Sequence, residues 1–223
     1  MRVAIVVPTL NEEEALSRTL PPALAAADEL VVSDGGSADR TVEVARRLGA
    51  RVVAGSAGRG RQLNRGAAAT AAEVLLFLHA DTTLPAGGLD AVRRAIAGGA
   101  AGGAFLMRFD TDRPLLRLGA WLINQRTRAA RLPLGDQAHF VTRDAFERLG
   151  GYRDWAILED LDFAWRLRRH GRTAILRPRV TTGARRFVEL GVIRTVVTNW
   201  TIWLLFVLGV PPERLARLYR QIR

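Results

Sequence analysis

Short apolar runs and amphipathic segments alternate along the first third of the chain. The runs are four or five residues long and lie at residues 3–7, 29–33, 51–54 and 74–78. Their β-branched residues are typical of strands, and the unbroken apolar run at 74–78 is typical of a strand buried on both faces of a sheet. The segments between them carry helix signals, such as Ser37 or Asp39 as a cap and Gly49 as a stop. This alternation predicts an α/β protein with a parallel sheet.

The second half of the chain is less regular. Its apolar patterns predict strands at 102–109, 139–141 and 173–176, and helices at 114–127, 143–149 and 159–169. Residues 58–66 are rich in glycine and arginine and are interpreted as a loop that opens a helix ending at residue 72. We expect one α/β domain at residues 1–185, followed by an apolar helix and a basic helical tail at 186–223.

Composition limits the classes of protein to consider. The 223 residues are 48% hydrophobic and 25% charged, which suits a folded chain with one sizeable core. Cysteine is absent, so disulfides and thiolate metal sites are excluded. The net charge of +11 is carried by arginine alone, which favours anionic partners such as phosphates, carboxylates or anionic lipid. The N-terminus enters a strand-like run directly, without the regions of a secretory signal, so we expect a cytoplasmic protein.

The fourth apolar run ends in two side chains that are able to ligate a metal. His79 and Asp81 follow residues 74–78, at the carboxyl end of a predicted buried strand. Open parallel sheets bind their ligands in the crevice outside these strand ends. A carboxylate at this place can hold a divalent cation or accept a hydrogen bond from a ligand hydroxyl. The alternative is an aspartate that only caps the next turn.

Two further acidic positions also follow strands or begin helices. Asp34 ends the second apolar run, and Glu159, Asp160 and Asp162 open a predicted helix. Acidic residues in a first turn often interact only with the helix dipole, which is the interpretation that we prefer for Asp162. Two adjacent acids at a loop–helix junction, preceded by Trp155, also suit a general base beside a partly apolar wall.

Four motifs, taken in order, resemble those of family 2 glycosyltransferases. They are VVPTLNEE at 6–13, VSDGGSAD at 32–39, LFLHADT at 76–82 and LEDLDF at 158–163. Each motif is weak alone, but four in the family's order and spacing form a specific signal across residues 1–185.

Within the family, the chain is most similar to the bacterial subgroup associated with arsenosugar biosynthesis. The resemblance implies a GT-A fold, with a mostly parallel central sheet flanked by helices, over residues 1–185. It also implies inverting transfer of a sugar from a nucleotide-diphospho-sugar, such as a UDP- or GDP-sugar, to an acceptor hydroxyl.

The resemblance further implies which residues form the donor site. The nucleotide-sugar would be held by Pro8, Thr9, Glu12, Asp34, Gly35, Arg61, Asn64, His79, Ala80 and Asp81. Asp81 matches the last acid of the family's Asp-X-Asp motif, which binds Mg²⁺ or Mn²⁺ against the diphosphate. His79 takes the place of the first acid of that motif, and imidazole tends to suit softer cations. Leu63 precedes Asn64 where the family often has arginine, so Arg59 or Arg61 is expected to reach the phosphates instead.

The acceptor side is also implied by the resemblance. Asp160 matches the general base that deprotonates the acceptor hydroxyl, and Glu159 stands beside it. Gly135, Asp136 and Gln137 fall where the acceptor pocket is usually built, with Trp155 as one of its walls. For residues 135–137 a simple turn is the alternative.

The C-terminal segment has two interpretations. Residues 195–210 are nearly all apolar, but this run of sixteen is shorter than the ~20 residues of a helical membrane span. It predicts a helix that packs on the preceding domain or on a second subunit of a homo-oligomer. Alternatively, it lies on a membrane surface at the inner face of the cell membrane, since arginines flank it on both sides. A lipid-linked acceptor would suit that second interpretation.

Other functional classes fit the sequence less well. A nucleic-acid-binding module is not expected, because the aromatic residues are not interleaved with the arginines as stacking platforms require. A dinucleotide-dependent oxidoreductase would need Gly-X-Gly-X-X-Gly after the first strand, where Pro8, Thr9, Leu10 and Asn11 stand instead. A non-catalytic nucleotide-sugar-binding or regulatory protein of the same fold remains an alternative that turnover would distinguish.

Overall fold

One sheet of eight strands forms the centre of the part of the chain that the structure describes. This computed structural model describes residues 1–222, with side chains except at 186, 189, 190 and 220–222; residue 223, the end of the predicted tail, lies outside it. The strands are β1 (Val3–Thr9), β2 (Glu29–Asp34), β3 (Arg51–Ala54), β4 (Val74–Phe77), β5 (Thr82–Thr83), β6 (Gly102–Phe109), β7 (Phe140–Thr142) and β8 (Thr173–Thr182). Their order is β3-β2-β1-β4-β7-β6-β8-β5.

The pairing of the strands divides this sheet into two parts. Strands β3, β2, β1 and β4 are all parallel neighbours. Strand β7 is antiparallel to both β4 and β6, β6 is parallel to β8, and β5 is antiparallel to β8. The α/β class predicted from the sequence is confirmed, and the parallel part coincides with the stretch where strands and helices alternate.

Helices cover both faces of the sheet. They are α1 (Glu13–Ala26), α2 (Thr41–Arg47), α3 (Arg59–Ala68), α4 (Gly88–Ala97), α5 (Pro114–Ala130), α6 (Arg143–Arg148), α7 (Glu159–His170), α8 (Arg185–Leu190), α9 (Val192–Val207) and α10 (Pro212–Ile222). Residues Gly135–Gln137 form one 3-10 turn between α5 and β7. The two faces of β1 show why the first strands are apolar without interruption. Val3, Ile5 and Val7 join one core cluster, whereas Ala4 and Val6 join another on the opposite face.

The segment interpreted as a glycine- and arginine-rich loop is helical, so that prediction was wrong. Its residues belong to α3, which ends at Ala68 rather than at residue 72. Two of its glycines have a packing role. A Cβ at Gly60 would collide with the carbonyl oxygen of Arg153, and one at Gly66 would collide with the side chain of Val6. Close helix packing, and not loop flexibility, therefore accounts for these glycines.

Two other elements have boundaries that the apolar patterns do not mark. Helix α1 continues through Pro21 and Pro22 to Ala26. Strand β8 is ten residues long instead of four, because it passes a register shift and continues along β6 to Thr182. These differences do not alter the order of the elements.

Helix α9 contains most of the apolar C-terminal segment and packs on the α/β domain along one side. Trp203 and Phe206 contact a small cluster that includes Leu132 and Leu161, and the Phe206 ring lies 6.1 Å from the ring of Trp155. The predicted packing on the preceding domain is therefore observed. None of the helices within the described residues has the length and apolar character needed to cross a membrane.

Candidate active site at the carboxyl ends of the strands

The carboxyl ends of β2, β1 and β4 form one edge of a crevice. These three strands are neighbours in the sheet, and Thr9 at the end of β1 is paired with Asp34 at the end of β2. His79 and Asp81 follow the end of β4, on the other side of β1. The parallel sheet thus brings together four of the residues expected to hold a nucleotide-sugar.

The carboxylate of Asp34 is held by hydrogen bonds from the protein. Its Oδ1 accepts from Thr9 Oγ1 at 3.0 Å and Ser37 Oγ at 2.5 Å, and its Oδ2 accepts from the backbone N–H groups of Gly36 and Ser37 at 2.8 and 2.9 Å. Burial raises the pKa of Asp34, but the bonds from Ser37, Gly36 and Thr9 outweigh it and leave the pKa below its usual value. Asp34 is therefore ionised and fixes the turn that follows β2.

Gln62 holds the floor of the crevice together, and sequence reasoning missed it. Its buried amide donates to the carbonyl oxygens of Thr9 at 2.7 Å and Ser33 at 3.2 Å. A Cβ at Gly35 would lie 3.0 Å from the Gln62 side chain, which explains a glycine at that predicted donor position. Arg65 adds a bond from its Nη2 to the carbonyl oxygen of Asp34 at 2.6 Å. Gln62 lies in the first turn of α3. Because residues 58–66 were interpreted as a loop, nothing in the sequence indicated that its side chain lies in the crevice.

Two predicted donor residues on α3 contact the protein itself. Asn64 donates to the carbonyl oxygen of Tyr152 at 2.8 Å and accepts from its N–H at 2.8 Å. Arg61 forms a salt bridge with Asp154, with 3.3 Å between Nε and Oδ1. These contacts tie α3 to the loop before α7. Arg59 on the same helix lies closer to the acidic residues that open α7, since its Nη1 is 3.4 Å from Glu159 Oε1.

The residues next to the metal motif are placed by the strand ends. Pro8 is paired with Ser33 across β1 and β2, and it carries no N–H that would have to be satisfied at the crevice. Ala80 is buried, and its carbonyl oxygen accepts from Thr19 Oγ1 at 2.5 Å. This bond from α1 fixes the backbone between His79 and Asp81.

Asp81 and Glu12 form an acidic pair on the donor side. The pKa of Glu12 is raised, first by burial and then by the negative charge of Asp81, while Arg185 and Arg59 act in the opposite direction. The pKa of Asp81 is raised by the protein atoms that surround it, although its side chain still reaches solvent. Thr82 Oγ1 lies 3.2 Å from Asp81 Oδ1. Two acids whose negative charges act on each other favour a site for a cation.

The donor set fits a divalent cation that is shared with a substrate. No group of three or more His, Asp or Glu side chains within residues 1–222 is arranged to hold a metal alone. Mg²⁺, however, is usually held by one or two carboxylates together with substrate phosphates. Burial and the charge of Arg59 lower the pKa of His79 to about 3, so its imidazole is neutral, which is the form that ligates metals. His79 and Asp81 would therefore complete a site only together with a phosphate-bearing ligand.

Asp160 faces this metal motif from the other side of the crevice. The backbone N–H of Gly135 donates to Asp160 Oδ2 at 2.6 Å, and the N–H of Leu161 donates to Oδ1 at 2.7 Å. A Cβ at Gly135 would lie 3.1 Å from Asp160 Oδ2 and 2.8 Å from His79 Nε2. Gly135 thus lies close to both the predicted base and the predicted metal motif.

The backbone around Asp160 is held in an uncommon conformation. Leu158, directly before α7, has a φ of 63°, and Ala138, directly after the 135–137 turn, has a φ of 48°. Non-glycine residues at positive φ cost free energy and persist only where the surrounding structure imposes them. Leu158 and Ala138 thus lie next to the two segments, α7 and the 135–137 turn, that are joined by the hydrogen bond from Gly135 to Asp160.

Two carboxyl groups beside Asp160 are protonated more readily than usual. Burial, reinforced by the charge of Asp160, raises the pKa of Glu159 to about 7, although Arg59 opposes the shift. Burial and the same charge raise the pKa of Asp136 to about 6 against the opposing effect of Arg126. Carboxyl groups that titrate in this range are typical of sites for acid–base chemistry.

Asp136 and Arg126 each leave buried polar atoms without a partner among the described residues. These atoms are Oδ1 of Asp136 and Nε and Nη2 of Arg126. Buried polar groups are usually hydrogen-bonded, so unpaired ones whose charges act on Asp160 suit contacts with a ligand. Arg126 lies on α5 and has no motif around it, which explains why sequence reasoning missed it.

Gln137 and Trp155 lie around the site in different ways. Gln137 is fully buried: its Oε1 accepts from Thr127 Oγ1 at 2.9 Å, and its Nε2 donates to the Phe105 carbonyl oxygen at 3.1 Å. It therefore anchors the 135–137 turn to α5 and β6. Trp155 packs against Phe206 of α9 and lies under the guanidinium of Arg153, 5.1 Å from the ring centre.

Comparisons with known proteins agree with this geometry. A family model described as glycosyl transferase family 2 matches residues 4–146, which include the whole donor side of the crevice. Glucosyl-3-phosphoglycerate synthase of Mycolicibacterium smegmatis is 38% identical over a segment that covers 37% of this chain and 32% of that protein. The match thus spans about a third of the length of this curated relative.

Solved structures show the same fold at low identity. The mannosyltransferase PcManGT from Pyrobaculum calidifontis, in complex with GDP-Man and Mn²⁺, aligns with a TM-score of 0.68 and 18% identity over 99% of this chain and 69% of that chain. Glucosyl-3-phosphoglycerate synthase from Mycobacterium tuberculosis, with Mg²⁺ and UDP, aligns with a TM-score of 0.65 and 21% identity over 94% and 80% of the two chains. TarS 1–349 of S. aureus, in complex with UDP, aligns with a TM-score of 0.65 and 20% identity over 89% and 66%.

These neighbours confirm the GT-A fold expected from the motifs. The family model covers more than half of the chain and includes the strand ends that carry Thr9, Asp34 and Asp81. The chain therefore belongs to glycosyl transferase family 2.

Proposed function

We propose that this protein is an inverting glycosyltransferase that moves a sugar from a UDP- or GDP-sugar to an acceptor hydroxyl, with Asp160 as the general base. The supporting observation is the position of Gly135, where an added Cβ would lie about 3 Å from both His79 Nε2 and Asp160 Oδ2. A reaction between two substrates requires the donor and acceptor sides to meet within contact distance. The approach of His79 and Asp160 to the same glycine supports such a meeting beside Gly135.

On the donor side, Thr9, Asp34 and Glu12 bind the nucleoside, and His79 and Asp81 hold a Mg²⁺ or Mn²⁺ ion against the diphosphate. A divalent cation there stabilises the negative charge of the leaving nucleoside diphosphate. Among the solved neighbours, the mannosyltransferase is in complex with GDP-Man and Mn²⁺, and the synthase is in complex with UDP and Mn²⁺ or Mg²⁺. Arg59 contributes a further positive charge from α3, at the side where Glu159 lies.

On the acceptor side, Asp160 accepts the proton of the acceptor hydroxyl as its oxygen attacks the anomeric carbon. The Gly135 and Leu161 N–H groups hold the carboxylate in place, one on each oxygen. Asp136 and Arg126 supply polar atoms that have no partner among the described residues and can orient the acceptor. Glu159 stays protonated for much of the neutral range, which keeps a second negative charge away from Asp160. Attack from the side opposite to the leaving group inverts the anomeric configuration.

The test begins with binding. UDP- and GDP-sugars are screened by thermal shift with and without Mn²⁺, since a ligand of the folded state raises its stability by mass action. The donor that binds is then incubated with candidate acceptors, nucleoside diphosphate release is measured, and the product anomer is determined by NMR. Retention of configuration would exclude single displacement. Donor binding without turnover on any acceptor would favour the non-catalytic nucleotide-sugar-binding protein instead.

We also propose that the protein lies on an anionic membrane surface, where a lipid-linked acceptor would be available. Helices α5 and α9 are in contact and expose large apolar side chains, among them Leu118, Trp121, Ile193 and Val197. Arginines lie close to these apolar residues in the sequence, such as Arg117 on α5 and Arg194 on α9, and are suited to lipid phosphates. A second copy of the chain is the other occupant that this surface would suit. Membership of the arsenosugar-associated subgroup likewise remains a prediction.

A further inference from the structure

A cavity distant from the candidate active site is lined by four arginines. It has a volume of about 600 Å³ and is walled by Arg128 and Arg131 from the end of α5, by Arg172 before β8 and by Arg177 on β8, together with Leu106, Thr173, Ala174 and Ile175. Pockets for small molecules usually have volumes of ~300–1,000 Å³. No acidic residue contributes to this wall.

The four guanidinium groups are not neutralised by the protein. Within residues 1–222, none of them forms a salt bridge with a carboxylate, whereas arginines elsewhere, such as Arg93 and Arg166, do. Arg128 donates to the amide oxygen of Gln125 at 2.9 Å, and Arg131 approaches the carbonyl oxygen of Thr173 at 3.4 Å. Like charges around one cavity repel each other, and an anion bound between them would remove that cost.

The backbone brings these arginines together by irregular features. Strand β8 pairs Leu176 with Phe105 and then Arg179 with Leu106, so Arg177 and Pro178 form a bulge. Bulges commonly re-aim a side chain beside a functional site. Arg131, which ends α5, has a φ of 52°, an uncommon conformation for a residue other than glycine.

Thr173 in the wall is a second observation that indicates a ligand. Thr173 is only 8% exposed, and its Oγ1 is buried without a hydrogen-bond partner among the described residues. An unsatisfied buried hydroxyl costs free energy that a ligand oxygen would recover. The apolar residues Leu106, Ala174 and Ile175 form the remainder of the wall, so a ligand larger than a single ion would also find apolar contacts.

The cavity is separate from the donor crevice. Asp160 lies at the first turn of α7, whereas Arg172 and Thr173 follow the last turn of the same helix. The twelve residues of α7 give a helix roughly 18 Å long at a rise of 1.5 Å per residue. A ligand between the four arginines is therefore not the diphosphate of the sugar donor.

We infer that this cavity is a binding site for a phosphate-bearing anion with at least two negative charges. Guanidinium groups bind phosphate oxygens in pairs and with defined geometry, and four of them suit a diphosphate or a compound with two phosphate groups. The group belongs either to a soluble molecule or to the head group of an anionic lipid. The inference does not depend on the proposed sugar transfer, because binding at this site can be measured without turnover.

The test uses pyrophosphate as the probe, in isothermal titration calorimetry with EDTA present so that metal-dependent donor binding is suppressed. Each lost charge-assisted contact is worth about tenfold in Kd, so Arg128→Gln/Arg177→Gln should weaken binding roughly 10²-fold. Arg46→Gln/Arg47→Gln, two exposed arginines on α2, removes the same charge elsewhere and should bind as the wild type does. Thr173→Val, which keeps the charge and the shape, should weaken binding about tenfold.

Co-sedimentation with phosphatidylcholine vesicles, with and without phosphatidic acid, tests the lipid source. If vesicle binding depends on Arg128 and Arg177 and pyrophosphate does not bind, the ligand is a lipid head group. If only pyrophosphate binding depends on them, the ligand is soluble. The inference is overturned if the Arg128→Gln/Arg177→Gln variant and the Arg46→Gln/Arg47→Gln control behave alike with both probes, because binding would then reflect the general basic surface.

Discussion

The two sides of the crevice are built by different means. The proposed donor side consists of residues at or just after the ends of β1, β2 and β4, three parallel neighbours in the part of the sheet where strands and helices alternate. The acceptor side consists of a 3-10 turn, the start of α7 and one residue from α5, which β7 and long connections bring together. One side is thus a regular edge of the sheet, and the other is an assembly of irregular segments.

Their electrostatics differ in the same way. Asp34 on the donor side accepts four hydrogen bonds, and its pKa is lowered. On the acceptor side, burial raises the pKa of Glu159 to about 7 and of Asp136 to about 6, and Asp136 keeps an unpaired buried oxygen. Asp34 is therefore saturated by the protein, whereas Asp136 and the strained backbone on the other side keep polar capacity for a reacting partner.

The largest expected effect belongs to the acceptor side. Asp160→Asn keeps the shape of the side chain and removes its basicity, so turnover should fall by roughly 10²–10⁴, the usual contribution of general-base catalysis. Donor affinity should hardly change, because the acceptor meets this residue. Steady-state kinetics and donor titration measure the two quantities, with exposed Asp144→Asn on α6 as the control. Normal turnover of the Asn variant would move the base elsewhere, with Glu159 or Asp162 as the next candidates.

The corresponding change on the donor side is Asp81→Ala. Metal-dependent binding of the nucleoside diphosphate should weaken by on the order of 10²-fold, since even partners outside the first ligand shell cost 10–100-fold in metal affinity. Titration of UDP or GDP with Mn²⁺, repeated in EDTA, separates the metal-dependent part. The exposed Asp90→Ala on α4 serves as control. If the Asp81 variant still binds in a way that EDTA weakens, Asp81 is not a ligand.

Gly135→Ala tests whether the two sides share one space. The added methyl group would lie 2.8 Å from His79 Nε2 and 3.1 Å from Asp160 Oδ2, so it should displace one of them. A displacement of about 1 Å can cost 10²-fold in rate. Gly119→Ala on α5 is the control, because nothing lies within 4 Å of its added Cβ and it should stabilise the helix by about 1 kcal/mol. Equal activity of both variants would contradict a shared space.

A smaller effect concerns the dependence of stability on pH. The pKa of Glu159 is about 7 in the folded protein, whereas in the unfolded chain it is near the usual 4.5. Stability that this group contributes is therefore fully present below about 4.5 and is lost as pH rises through 7. Asp136 acts in the same direction between 3.8 and about 6. Glu159→Gln should reduce the loss of unfolding free energy between acidic and neutral pH by on the order of 1–3 kcal/mol. Denaturant unfolding at several pH values measures this loss.

The exposed Glu147→Gln on α6 is the matched control for this experiment, because it removes one carboxyl group from the surface. A Glu159→Gln variant that declines with pH as steeply as this control would contradict the assigned protonation of Glu159.

The smallest expected effect concerns the exposed surface of α5 and α9. The protein should co-sediment with anionic liposomes, and less so at high salt, because salt screens surface charge. Leu118→Ser/Trp121→Ser removes two exposed apolar side chains and should weaken binding about tenfold, at roughly 0.7 kcal/mol for each partly exposed group. Leu10→Ser, an exposed leucine beside the crevice, is the control. Recovery in the supernatant with and without liposomes, together with a dimer in size-exclusion chromatography, would instead favour a second copy of the chain.

Much of the donor side was accessible from sequence. The strands that lead to Thr9, Asp34 and Asp81 were predicted, and the motifs include these three residues. The helix that carries Gln62 was misread, because glycine in a sequence does not reveal whether it serves a turn or a close contact. Arg126 gave no signal, since an arginine on an amphipathic helix is usually solvated.

The sequence by itself determined the alternation of strands and helices and the residues that stand at each strand end. These properties are local, because the period of apolar residues and the position at the end of a run depend on neighbours in the chain. Only the tertiary structure decided that Gly135 brings His79 and Asp160 to one space, that Gln62 bridges β1 and β2, and that four arginines share a cavity. These contacts join residues far apart in sequence. The burial that shifts the pKa values of Glu159 and Asp136 likewise exists only once distant segments exclude water from them.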